Sequence, residues 1–410
     1  MFSSLQAGCI RKTNGGFSVG CADYMWGSGV KGGFVRLFYP SDDHDQNIHV
    51  DSCETKKPFW LPHKEYAVGM IKYAKLPSWL LGNAFYWLLG SARLDCYWNA
   101  SLYSPSSSNE TDSTQNNFQK FPCVVFSHGL GGSRCVYSSF CLELASYGYV
   151  VAAVEHRDKS ASATYYLKED APSFQDPQWI PYHRLTENED EFQMRNSQVH
   201  QRAKECMQTL NFLEQLNEGQ PPKNLLGAEF DSPQFKDRLD LDKVSIMGHS
   251  FGGVTTIATL AKDKRFKCGI AMDAWMFPLG DELYHHTVSQ PLLFINTGTF
   301  HWRKNIQQIK ELLNNETVER KMVTIKGTSH LTQSDLPSVV PPAAWRFLGV
   351  NSESLDVGKI IDINRTIIAT FLSEYFGVGE EYGDSKILKE ESEHVLIGSN
   401  VELDNLTNKL

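Results

Sequence analysis

The chain has 410 residues, 41% of them apolar and 21% charged, with a formal net charge of -9. That length suits one enlarged domain with insertions better than two equal halves. The acidic balance excludes a general nucleic-acid binder, which needs a basic surface to displace phosphate counterions, and leaves small molecules and lipids as substrate classes.

The amino-terminal stretch MFSSLQAGCIRKTNGGFSVG holds no apolar run of the kind that forms a signal-peptide core. Phe2 stands where N-myristoylation requires Gly. The nine cysteines form no CxxC pair, and Cys123 and Cys268 fall in apolar runs. Reduced, buried thiols in a cytoplasmic protein are therefore expected. In that setting the N-x-S/T triplets at Asn99, Asn109, Asn315, Asn364 and Asn405 read as chance matches.

Residues 76–89 carry no charge and include Trp79, Leu80, Leu81, Phe85, Trp87, Leu88 and Leu89. The stretch is shorter than the ~20 residues needed to cross a bilayer. It is apolar nearly all round, which fits either a buried helix or one lying in a lipid interface. Residues 105–119, rich in Ser, Asn and Thr, read as a surface loop. Strands are predicted at 122–127, 149–156, 243–248, 267–273, 291–296 and 322–327, with a long helix over 192–217 and another after 250. Continuous apolar strands alternating with helices imply an α/β fold with a mostly parallel sheet covered on both faces. Chemistry in such sheets lies at the carboxyl ends of the strands. Residues 1–376 are expected to form one domain, and the acidic tail 377–410 to be partly disordered.

Gly248-His249-Ser250-Phe251-Gly252 fits G-x-S-x-G, the nucleophile elbow of the α/β-hydrolase fold, and has the required strand before it and helix after it. A serine hydroxyl is a weak nucleophile until a base takes its proton. Thirteen histidines are available. In this fold the order is serine, acid, histidine, so His330, after the last strand, is the candidate base. His285, His286 and His301 come too early in the chain, and His249 should point away from the substrate. The acid must orient the imidazole. The usual loop, NTGTFHWRK, has none. Asp273, at the end of the strand before it, is the candidate, with Asp281 and Glu282 as alternatives. The oxyanion hole needs two N–H donors. These are expected from Phe251 and from Leu130 in HGLGG (128–132), where His128 braces the loop. No HExxH, zinc spacing, dinucleotide fingerprint or P-loop is present, so no metal or cofactor is expected.

FSHGLGGSR (126–134), GHSFGG (248–253), CGIAMDAWMFPLGDE (268–282), WLLGNAFYWLLG (79–90) and VEHRD (154–158) together resemble the platelet-activating factor acetylhydrolases of the plasma and intracellular type II group. The resemblance spans about residues 18–375. It implies a triad of Ser250, Asp273 and His330, and an oxyanion hole of Leu130 and Phe251. It also implies calcium-independent hydrolysis of the sn-2 ester of phospholipids with a short or oxidised sn-2 chain. Members bind lipid through a helix in the region of 76–89, which favours an interfacial role for Trp79, Leu80, Phe85, Trp87 and Leu88 in peripheral contact with a lipid surface. A second contact is considered at 342–349, with Trp345, Phe347 and Leu348. Unlike the secreted branch this sequence shows no signal peptide, and unlike the intracellular vertebrate members it begins Met-Phe, not Met-Gly. An esterase or lipase of another substrate class, or an inactive hydrolase-fold binding protein, are the alternative readings.

Overall fold

The computed structural model describes residues 10, 12–42, 57–105, 119–168, 176–227, 230–283, 288–314, 318–340, 356–379 and 386–403. Twelve strands are formed in this part of the chain. They are β1 (Ser18–Trp26), β2 (Gly33–Ser41), β3 (Tyr97–Trp98), β4 (Phe121–Ser127), β5 (Val150–Val154), β6 (Ala163–Tyr166), β7 (Gln178–Pro181), β8 (Leu239–His249), β9 (Cys268–Met272), β10 (Leu292–Thr297), β11 (Arg320–Ile325) and β12 (Val395–Ile397). Ten of them form one sheet in the order β12-β11-β10-β9-β8-β4-β5-β2-β1-β3, while β6 and β7 pair separately. The run from β11 to β5 is parallel throughout. Antiparallel β2 and β1 extend it on one side and antiparallel β12 on the other.

The parallel strands read as continuous apolar runs because both faces are covered. Val124, Phe126, Val151, Ala153, Met247, Ile270 and Ile295 point into one core, with the helices Ser138–Ser146 and Val357–Phe376. Their neighbours Cys123, Val125, Ala152, Ile246, Ala271 and Phe294 point into a second core, with the helices Glu191–Asn217, Phe251–Lys262 and Arg303–Leu313. This alternation is the period-two geometry of a strand buried on both sides. The longest helix starts where the Asp190 carboxylate accepts the Gln193 N–H at 2.8 Å. The seven described cysteines are free and buried.

Two differences from expectation have plain causes. β1 and β2 escaped notice because their sequences, SVGCADYMW and GFVRLFYPS, mix charge into the strand. Asp23 of β1 accepts two hydrogen bonds from Arg36 of β2, at 2.8 and 3.0 Å, so both charges can be buried as a pair. In addition, the tail 377–410, expected to lie outside the domain and to be partly disordered, adds a strand to the main sheet: helix Lys386–Glu390 leads to β12, which pairs with β11. Its acidic composition hid three strand residues that gain their hydrogen bonds only from a distant partner.

Candidate active site

Ser127, His249, Met272, Thr297 and Ile325 end five adjacent parallel strands, so the loops that follow them converge on one edge of the sheet. Ser250 follows β8 and caps the next helix, with φ 59° and ψ -114°. A non-glycine residue adopts such a conformation only when its surroundings impose it. Here the Ser250 N–H donates to Met272 O at 2.8 Å, and its carbonyl accepts from Gly253, Val254 and Trp275. The flanking glycines are needed for closeness, not for positive φ. A Cβ on Gly248 would lie 2.2 Å from Gly252 O, and one on Gly252 would lie 2.0 Å from Ser127 O. Ser250 is 8% exposed.

Asp273 directly follows β9 and is fully buried. Its Oδ1 accepts the Thr297 N–H at 2.6 Å and a hydrogen bond from His301 Nε2 at 3.1 Å. Its Oδ2 accepts from the Thr297 hydroxyl at 2.5 Å and from His330 Nδ1 at 2.9 Å. Burial would push this carboxyl up, but the hydrogen bonds from His301 and His330 outweigh it and hold it far below the usual carboxylate range. The ligand atoms of His249, Asp273 and His330 lie within 4.8 Å of one another. Both carboxylate oxygens of that cluster are already occupied by four donors, which argues against a metal site there.

The His330 ring is held between two others. Phe300 stacks on it with centroids 3.8 Å apart and an angle of 14°. His249 lies over it at 4.3 Å. His249 is itself buried, shares a hydrogen bond with the Tyr137 hydroxyl at 2.9 Å, and is held neutral by burial and by its neighbour His330. His249 is therefore buried, but its ring lies against His330 and does not turn away from the cluster.

The loop after β4 that carries Leu130 approaches the nucleophile at Gly129, where a Cβ would lie 3.3 Å from Ser250 Cβ. Phe251 is the first residue of its helix, so its N–H has no acceptor one turn back. His128 is committed to bracing. Its Nε2 accepts the His156 N–H at 3.3 Å, and its Nδ1 lies 2.8 Å from Gly129 O and 3.0 Å from Arg202 Nη2. Arg202, from the long helix, donates to His128 O at 2.7 Å, pairs with buried Asp158 at 3.1 Å, and lies 4.6 Å over the Phe251 ring. One buried guanidinium therefore touches both segments expected to supply the N–H donors.

Asp281 and Glu282 do not reach this cluster through any described contact: they form an exposed turn in which Glu282 accepts from His200 at 3.0 Å. His285 and His286 lie outside the described residues. His301 was ruled out by its place in the chain, yet it binds the same carboxylate as His330. Chain order ranks candidates for one role and says nothing of a second histidine on the acid. Thr297, Phe300, Asn305 and Arg202 were also missed, since each acts through a contact between distant segments.

Trp275 and Phe277 stack at 5.7 Å. With Phe192 and Trp302 they wall a cavity of about 710 Å³ beside the elbow. Helix Ser78–Leu89 shows a clear division. Trp79, Leu80 and Trp87 are exposed, at 79%, 56% and 80%. Phe85 and Leu88 instead turn inward against the core. The helix before it, Lys64–Tyr73, places the Tyr73 ring on the loop 128–132, where a Cβ on Gly131 would lie 2.5 Å from Tyr73 Cγ. No described helix is long and apolar enough to cross a membrane. The second contact considered at 342–349 lies outside the described residues.

The sheet order, the elbow and the strand-end acid define an α/β-hydrolase. The fold agrees with that of a ferulic acid esterase from Streptomyces cinnamoneus, with a TM-score of 0.58 over 90% of this chain and 93% of that one, at 17% identity. The sequence narrows the class. Residues 2–396 match the family described as platelet-activating factor acetylhydrolase, isoform II. The chain is 39% identical to the platelet-activating factor acetylhydrolase of Bos taurus over 398 residues, 97% of this chain and 84% of that protein. It is 38% identical to that of Canis lupus familiaris, over 98% of this chain and 85% of the relative. A putative phospholipase A2 of Schizosaccharomyces pombe is 29% identical over 83% of both chains. This chain belongs to the platelet-activating factor acetylhydrolase family.

Proposed function

We propose that the protein is a serine esterase that removes the acetyl, or another short or oxidised acyl group, from the sn-2 position of a phospholipid. Ser250 Oγ attacks the ester carbonyl while His330 Nε2 takes its proton. Asp273 holds His330 through Nδ1 and stabilises the imidazolium that forms. The N–H groups of Leu130 and Phe251 receive the developing oxyanion. Collapse of the tetrahedral intermediate breaks the bond to the glycerol oxygen, which leaves as lysophospholipid with the proton from His330. Water, deprotonated by His330, then attacks the acyl-enzyme and frees the acid and Ser250. The observation that carries this reading is the 2.9 Å contact between His330 Nδ1 and Asp273, at a strand end next to a conformationally forced serine. No step requires calcium.

Access from a lipid surface is part of the proposal. Trp79, Leu80 and Trp87 would enter the interface. The contact of Tyr73 with Gly131 would put the neighbouring helix against the loop that receives the oxyanion. Buried free thiols suit a reducing, cytoplasmic setting, with peripheral attachment to membrane.

The test is acyl release, in the absence of calcium, from two phosphatidylcholines that differ only in carrying acetyl or palmitoyl at sn-2. Rapid cleavage of the acetyl lipid alone is expected. Equal cleavage of both would mean a general phospholipase. Cleavage of neither, by protein that a fluorophosphonate still labels at Ser250, would retain the serine hydrolase and reject the substrate.

A further inference from the structure

We propose that His301 and Asn305 are positioning residues for the acid of the triad: Asn305 holds His301 as the neutral Nε2–H tautomer, and His301 donates that proton to Oδ1 of Asp273, so that Oδ2 is left to face His330. The inference rests on reading Ser250, Asp273 and His330 as the triad.

The tautomer follows from a chain of donors. Asn305 lies in the first turn of the helix Arg303–Leu313 and is fully buried. The Met276 N–H points at its amide at 2.9 Å. A backbone N–H can only donate, so the amide oxygen must be the atom that receives it. The amide nitrogen then faces two other atoms, Ala274 O at 2.9 Å and His301 Nδ1 at 2.8 Å. Both must be acceptors, so Nδ1 carries a lone pair. The other ring nitrogen lies 3.1 Å from a carboxylate oxygen and must carry the proton.

Water cannot take the place of His301. Its side chain is 1% exposed and that of Asp273 is 0%. Four donors fill the lone-pair positions of the carboxylate: two from Thr297, one from each histidine. Without His301 one of those positions is left empty in a dry site. The carboxylate would then concentrate its charge on the oxygen facing His330 and bind the imidazolium more tightly. The imidazolium would then pass its proton to the leaving oxygen less readily. The other groups that face His330 are the neutral ring of His249 and Phe300. Those facing His301 are Asp273, Asn305 and the edge of Phe300.

The experiment compares His301→Leu and His301→Gln with wild type on p-nitrophenyl acetate across pH, with ring-nitrogen NMR of ¹⁵N-histidine-labelled wild-type protein alongside. His301→Leu should lower kcat by roughly 10- to 100-fold with KM within about twofold, and should move the acid limb of kcat/KM upward by about half a pH unit or more. His301→Gln, whose amide can donate to the same oxygen, should restore the acid limb and most of kcat. The NMR spectrum should give His301 a bare Nδ1 and a protonated Nε2. A loss of kcat with an unmoved acid limb and no rescue by glutamine would overturn the proposal, as would wild-type activity in His301→Leu. An imidazolium or an Nδ1–H tautomer at position 301 would do the same. The ring-nitrogen measurement needs neither a folded variant nor turnover. If Ser250→Ala retained activity, the triad reading would fall while the tautomer was still decided.

Discussion

Ser250 and Asp273 share an unusual property: each has positive φ, at 59° and 42°, at the end of a central strand. Such backbone is costly for a residue with a Cβ and persists where function needs a side chain aimed across a strand end. Replacing Ser250 with Ala should therefore leave the fold intact and lower turnover of a soluble ester by about 10,000-fold or more. Retained turnover would reject Ser250 as the nucleophile. Asp273→Asn preserves size but presents an amide where His330 needs an anion. A loss of about 10,000-fold in kcat is expected, as in triads where the same change inverts the tautomer. Rates of p-nitrophenyl acetate cleavage by both variants, with circular dichroism as the check on folding, decide the matter.

The elements matter here for what they bring together. Helix Glu191–Asn217 carries Arg202 beneath the candidate oxyanion hole, against His128 O on one side and the Phe251 ring on the other. Arg202→Met would leave Asp158 buried without its cation, at a cost of about 3–5 kcal/mol in unfolding free energy. It would also free the loop 128–132. Urea denaturation measures the first effect and kcat the second; a stable, fully active variant would show that the loop holds itself. Helix Ser78–Leu89 divides into an outer face of Trp79, Leu80 and Trp87 and an inner face that includes Phe85 and Leu88. The double variant Trp79→Ser, Trp87→Ser should weaken vesicle binding about tenfold or more while soluble-ester hydrolysis stays near wild type. Leu88 is the wrong position for this test, because serine there would open the core. A parallel fall of both activities would mean that the outer face is structural.

Across the whole molecule, buried histidines couple stability to pH. Burial holds His128 and His249 well below the ordinary imidazole range. The unfolded chain binds protons near pH 6.5 that the folded chain refuses, so stability is complete above that pH and declines as pH falls below it. His156 is depressed in the same way, but its partner Glu205 is pushed up and works in the opposite sense. In His249→Gln the fall of unfolding free energy between pH 6.5 and 5.5 should be shallower than in wild type by about 1 kcal/mol. Identical slopes would mean that His249 is protonated in the folded state.

Much of this architecture could be read without coordinates, because its signals are local. An apolar run flanked by glycine announces a doubly covered strand. G-x-S-x-G between strand and helix announces an elbow, and an aspartate ending such a run needs a partner. The sequence by itself determined the parallel half of the sheet, the candidates Ser250, Asp273 and His330, and the apolar helix. Only the tertiary structure decided which charges are buried in pairs. Asp23 with Arg36 made strands of two segments that looked too polar, and Arg202 with Asp158 built the floor of the site. It also decided that Trp79 faces out while Phe85 faces in, and that His301 joins His330 on one carboxylate. The physical reason is common to all of these. A polar or aromatic side chain takes its place from the partner that satisfies it, and for these charged pairs the partner lies 13 to 57 residues away.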